Sequence, residues 1–117
     1  MKVNVIVTPD FERNAKSLLK KYKSLKNELL ELINILSSMP EYGKFLGKDC
    51  YKIRLSVKSK GKGKSGGLRI ITNVIIRLET NVATKVVKLL TIYDKSEFDS
   101  ITDSDLIKII RNNINNF

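Results

Sequence analysis

The spacing of apolar residues changes twice along this chain, and each change marks a new kind of element. Lys2 to Val7 is short, apolar and β-branched, which predicts a strand. Thr8-Pro9-Asp10 then offers a capping hydroxyl, a proline suited to the first helical position and an acid for the first turn. From there Phe11, Ala15, Leu18, Leu19, Tyr22, Leu25, Leu29, Leu32, Ile33 and Leu36 recur at helical spacing. This stripe fits one long helix, or two antiparallel helices broken near Lys23-Ser24 with Ser24 as the second N-cap; the broken form is preferred. Met39-Pro40 ends the helical region, because a following proline disfavours the helical conformation.

Beyond Pro40 the period falls to two. Tyr51, Ile53, Leu55 and Val57 alternate with Lys52, Arg54 and Ser56, predicting a half-buried strand with a basic outer face. Two further β-branched runs, Leu68 to Leu78 and Lys85 to Tyr93, are joined by Glu79-Thr80-Asn81 and should pair as a hairpin. Thr102 can cap a last helix with Leu106, Ile109, Ile110 and Ile114 on one face, and its Asn112 to Asn116 end should fray. The order β-α-α-β-β-β-α predicts an α+β fold. An N-terminal strand and two helices pack on an antiparallel-dominated sheet, a short helix closes the chain, and residues 1–117 form a single domain.

Composition narrows the chemistry. With 42% apolar residues in 117, the chain supports one modest core. It holds no run long enough to span a membrane, and its N-terminal apolar stretch is too short for a signal peptide. Cys50 is the only cysteine, which excludes an internal disulfide, fits a reducing cytoplasm and reads as a small buried apolar residue. There is no histidine, so the commonest metal ligand and the commonest neutral-pH general base are both missing. Neither a metal site nor a cofactor is expected.

Charge adds a location. The chain carries 22 Lys and Arg against 12 Asp and Glu, a net +10. The window from Cys50 to Leu78 has no carboxylate and eight basic residues: Lys52, Arg54, Lys58, Lys60, Lys62, Lys64, Arg69 and Arg77. Outside it the balance is 14 basic to 12 acidic. A localised positive patch on a small domain points to a polyanion, with RNA or DNA first.

At the centre of the window, Lys58 to Gly67 reads as a flexible loop. A solvated loop with no partner is one reading, weakened by mutual repulsion of lysines two apart. A nucleotide-binding P-loop fails on spacing, since its first glycine would fall at Lys58. A phosphate-contacting loop is favoured, with Lys58, Lys60, Lys62 and Lys64 as point charges on permissive backbone. Lys52, Arg54 and Arg69 can converge on one side of the sheet beside it, with Tyr93 and Lys95 at the end of the last strand. That set suits a splayed single-stranded base and its phosphate. Tyr93 also reads as an edge aromatic packed on the core, and Lys95 as a surface partner of Asp94, Glu97 or Asp99.

These segments also resemble a known family. Asp49-Cys50-Tyr51-Lys52-Ile53-Arg54-Leu55 is similar to a strand of the RelE toxins. The run from Ser59 to Ile71 and the run Leu89 to Glu97 resemble the HigB-like branch of the same superfamily. The resemblance implies a RelE-like fold and the toxin half of a type II toxin–antitoxin pair, an endoribonuclease that cuts mRNA in the ribosomal A site. The implied partners are mRNA, the ribosome with its rRNA, and a cognate antitoxin with a helix-turn-helix DNA-binding domain. Lys52, Arg54, Arg69 and Lys95 match the family's basic positions. The C-terminal catalytic tyrosine of some RelE toxins has no counterpart: Phe98 and Ile101 occupy that region, leaving Tyr93 as the nearby phenol.

RNA carries its own nucleophile, the 2′-hydroxyl, so cleavage needs orientation and charge stabilisation rather than a metal. Arg69 is the first choice for a clamp on two phosphate oxygens, with Arg54 and Lys52 neutralising the phosphate and Lys52 or Lys95 as proton donor or acceptor. Two alternatives stand beside this: a non-catalytic RNA- or DNA-binding module, and a ParE-like gyrase inhibitor, against which the dense basic face argues.

Overall fold

The computed structural model describes residues 1–61, 67–97 and 101–113. Its strands are β1 (Lys2–Val7), β2 (Lys44–Gly47), β3 (Cys50–Leu55), β4 (Leu68–Glu79) and β5 (Val82–Asp94). The helices are α1 (Pro9–Lys21), α2 (Leu25–Ser38) and α3 (Asp103–Asn112). All five strands form one sheet in the order β1-β5-β4-β3-β2; β1 lies parallel to β5 and every other pairing is antiparallel. This is the α+β arrangement that the sequence predicts, with β2 as an addition.

Thr8 starts α1 as its hydroxyl implies. Oγ1 accepts from the Phe11 amide and also donates to the Leu89 carbonyl at 2.8 Å, so the cap fastens the helix to β5. The helical stripe does break, at Tyr22 to Ser24, and Ser24 takes the N-cap position of α2. Its hydroxyl makes no cap bond. It donates instead to Glu28 at 3.0 Å and lies 2.9 Å from the Ser59 hydroxyl. Phe11, Ala15, Leu18, Tyr22, Leu25, Leu32 and Leu36 are buried against Ile53, Leu68, Ile70, Val87, Leu89 and Ile92, while Leu19 is exposed. The opposite face of the sheet buries Cys50, Ile71, Leu90 and Tyr93 with Leu106 of α3. Burial pushes the Cys50 thiol up, as suits an inert core residue.

Three details differ from the sequence reading. Four residues with a single apolar pair carry no period, which hid β2. It pairs with β3 across the turn residues Lys48 and Asp49, both at positive φ. Gly43 precedes it at φ 110°, where an added Cβ would stand 2.6 Å from the Lys52 carbonyl oxygen, so the approach of the two segments requires glycine. Second, α3 ends at Asn112, and Asn113, within the end expected to fray, is buried and donates from Nδ2 to the Ile109 carbonyl at 2.8 Å; Ile114 to Asn116 lie outside the described residues. At its other end α3 has a capping box between Thr102 and Asp105. Third, Lys58 to Gly61 is not a free loop but a pinned 3₁₀ turn.

The β4–β5 hairpin turns through Thr80 and Asn81, both at positive φ, as a two-residue primed turn demands. Its decisive irregularity lies further in. Ile71 pairs with Thr91 and Thr72 with Leu89, so Leu90 is the extra residue of a bulge in β5. Strict alternation from Leu89 would put Tyr93 on the helix-covered face. The bulge leaves Leu89 and Ile92 there and turns Leu90 and Tyr93 to the other side, beside Arg69.

Candidate nucleic-acid interface

Register assembles the cationic face. Lys44 of β2 stands opposite Lys52 of β3, Arg54 opposite Arg69 of β4, and Arg69 opposite Tyr93 of β5. Ile53, between Lys52 and Arg54, is buried under the helices, so both basic side chains point to the other face. Proximity has an electrostatic signature: the Lys52 ammonium is held below its ordinary range, first by burial, then by the charges of Lys44, Arg54, Arg69 and Lys95. Of the residues singled out from sequence, Lys52, Arg54 and Arg69 therefore share one face with Lys44 beside them, while Lys95, just past β5, is near enough for its charge to act on Lys52. The sequence signal for Lys44 was the Gly47-Lys48-Asp49 turn between two short apolar pieces, which brings Lys44 back over Lys52.

Exposure separates their roles. Arg54 and Lys95 are exposed, whereas Arg69 is 4% exposed, with Nη1 donating to the Leu68 carbonyl at 3.3 Å. Burial and Arg54 draw the Arg69 pKa down, opposed by Tyr93 and Asp94, and a guanidinium remains charged throughout. Tyr93 is 7% exposed and packs with Cys50, Ile71, Leu90 and Leu106. Its phenol is pushed up by burial, partly offset by Arg69. Tyr93 is thus a core aromatic, as one reading of it expects, that also borders the cations.

The loop divides into parts. Lys58 is exposed, and its amide donates to Glu28 Oε2 at 2.8 Å. The Ser59 amide donates to Ser24 Oγ at 3.0 Å. Lys60 turns inward to an ion pair with Asp94, Nζ to Oδ1 2.8 Å, with side chains only 13% and 7% exposed. Its place is a correction to a loop of uniformly outward charges: window composition could not show that Glu28 and Asp94, distant in sequence, would come to its root. Lys62 and Lys64 lie outside the described residues.

Asp94 is the hub of that anchor. Its Oδ1 also accepts from the amide and hydroxyl of Ser96, both at 3.0 Å, and its Oδ2 accepts from the Tyr22 hydroxyl at 3.3 Å. Burial alone would raise the Asp94 pKa. The hydrogen bonds and charge of Lys60 and the two bonds from Ser96 outweigh it and hold the carboxyl down to about 2. One carboxylate therefore ties together the end of α1, the root of the basic loop and the end of β5. Among the described residues Lys95 forms no ion pair with Asp94 or Glu97, and Asp99 lies outside the described residues.

Among the described residues no helix is long and apolar enough to cross a membrane. No family model matches the sequence, and no curated protein matches it. The fold has a counterpart among solved structures: the E. coli toxin RelE, solved as a double arginine-to-alanine mutant in the free state, superposes with a TM-score of 0.56. The two are 20% identical, and the match covers 96% of this chain and 98% of that one. The chain therefore has a RelE-like α+β fold.

Proposed function

We propose that this protein is the toxin of a type II toxin–antitoxin system, a HigB-like mRNA interferase that cuts message in the ribosomal A site. The observation that carries the reading is the register that sets Lys44 beside Lys52 and Arg54 beside Arg69 on one sheet face, where burial first and then these charges and Lys95 depress the Lys52 ammonium. The RelE-like fold and the matching basic positions support it. Its partners in this reading are mRNA, ribosomal RNA and an antitoxin carrying a helix-turn-helix domain.

The 2′-hydroxyl attacks the adjacent phosphorus, forming a new O–P bond as the bond to the 5′-oxygen breaks. A base removes the 2′-proton, and an acid returns one to the departing 5′-oxygen. Arg54 lies exposed where it can neutralise the phosphate, and Arg69 stands beside it in register to hold the charge that develops. A lysine with a lowered pKa is suited to the proton step, which favours Lys52 over exposed Lys95. Loop lysines, Lys58 foremost, supply phosphate contacts for docking.

The test is end-group analysis of a message incubated with purified translating ribosomes and the protein. The expected products are a 2′,3′-cyclic or 3′-phosphate upstream and a 5′-hydroxyl downstream, with cleavage persisting when transition metals are chelated and ribosomal magnesium is kept. A downstream 5′-phosphate would replace this chemistry with attack by an activated water. Full-length message under arrested translation would select the non-catalytic binding module instead.

A further inference from the structure

β1 ends at Val7, opposite Leu89, and the chain turns through Thr8 into α1. Past Leu89, β5 has β4 on one side and no described strand on the other. A cleft of about 560 Å³ opens along that edge, between α1 and α3. This lies within the range of about 300–1,000 Å³ usual for small-ligand sites. Ile92 and Ile109 are among its apolar lining, and its polar lining joins Asn14, Ser17 and Thr91 to the charged Arg13, Glu97, Asp105 and Lys108. Asn14 Nδ2 donates to Thr91 Oγ1 at 2.8 Å. Among the described residues that bond leaves the Asn14 carbonyl, its second N–H and the Thr91 hydroxyl proton available, both donors and acceptors.

The position of the cleft matters as much as its lining. Tyr93 contributes to the cleft and pairs in register with Arg69 on the cationic face. Strands in a sheet lie about 4.8 Å apart, so a group docked against the free edge of β5 is two spacings, about 10 Å, from the strand of Arg69. That is within reach of the nucleotide flanking a phosphate held at Arg54 and Arg69. Phosphate contacts carry no sequence information, whereas an amide and a hydroxyl facing a base edge do.

We infer that this cleft receives the base of a nucleotide next to the scissile phosphate, with Asn14, Ser17 and Thr91 setting base preference. The inference rests on the RNA-cleaving reading above for its biological substrate, yet the binding itself is testable apart from cleavage. The probes are the four nucleoside 5′-monophosphates, titrated by amide NMR with inorganic phosphate as control. The mononucleotides should shift the Asn14, Thr91 and Tyr93 amides to differing extents, and phosphate should not. Asn14 and Ser17 are exposed, so Asn14→Ala and Ser17→Ala should fold normally. Asn14→Ala should shrink the affinity spread among the four bases about five- to tenfold, the scale of one or two hydrogen bonds. On ribosome-bound message it should spread cleavage over more sites.

Shifts confined to Lys52 and Arg54 and reproduced by phosphate alone would overturn the inference, and would leave the cleft open to an extended peptide pairing with the β5 edge. An unaltered cleavage pattern in both alanine variants would also overturn it while the nuclease reading stood. Base-selective mononucleotide shifts in a protein that cuts no message would uphold the binding site and remove the nuclease reading.

Discussion

Replacing Arg54 by alanine should slow cleavage of bound message about 10²- to 10³-fold, the usual loss when one donor to a developing negative charge is removed. Arg54 is the better test than Arg69. It is exposed, so its removal leaves the core intact, whereas Arg69 is buried and its loss mixes catalysis with stability. Single-turnover rates with ribosomes in excess separate the chemical step from docking, and docking should change far less. A second signature follows from charge. Arg54 is one of the cations depressing Lys52, so Arg54→Ala should move the Lys52 pKa back towards its ordinary value. If Lys52 is the proton donor, the fall in rate at high pH should move to higher pH in this variant. In Lys52→Arg that fall should disappear, since a guanidinium does not titrate in range. Bound-state rates equal to wild type in Arg54→Ala would remove this residue from the chemistry.

Most of this arrangement is legible in the sequence where periodicity is strong. The strand at Lys2 to Val7, the Thr8 and Thr102 caps, the helical stripe and the hairpin all follow from local signals that packing then reinforces. The basic face is legible for the same reason, because a period of two puts Lys52 and Arg54 on one side. What escaped the sequence depends on a single residue or on distant contacts. The extra residue at Leu90 decides which face Tyr93 occupies, and an extra residue in a β-branched run leaves no mark of its own. The fate of Lys60 depends on Asp94, 34 residues away. The cleft depends on where β1 stops relative to β5, a matter of register across most of the chain.

The anchor at Asp94 gives the second large effect, on stability rather than chemistry. Asp94→Asn leaves Lys60 half-inward without its partner, and Lys60→Met leaves a buried carboxylate without its cation. Breaking one side of a buried pair costs about 3–5 kcal/mol. Asp94→Asn should fall towards the lower end, because Lys60 is 13% exposed and can swing into solvent. The double variant Asp94→Leu with Lys60→Met should recover much of that loss, since it strands no charge. The pH dependence has a definite sign. The folded-state pKa of Asp94 is depressed from 3.8 to about 2, so its contribution is present above the unfolded value and is lost as pH falls through the folded one. The shift corresponds to about 2 kcal/mol at neutral pH. In urea melts the gap between wild type and Asp94→Asn should be widest near pH 7 and close as pH falls from 4 towards 2. A gap that stays constant down to pH 2 would assign the loss to hydrogen-bond geometry instead of charge. The same anchor divides the loop lysines. Lys58→Gln should flatten the salt dependence of ribosome binding by about 0.7 to 0.9 in logarithmic slope if that side chain contacts one phosphate. Lys60→Gln should instead lower the unfolding midpoint and leave the slope near that of wild type, because its charge is already neutralised inside the fold.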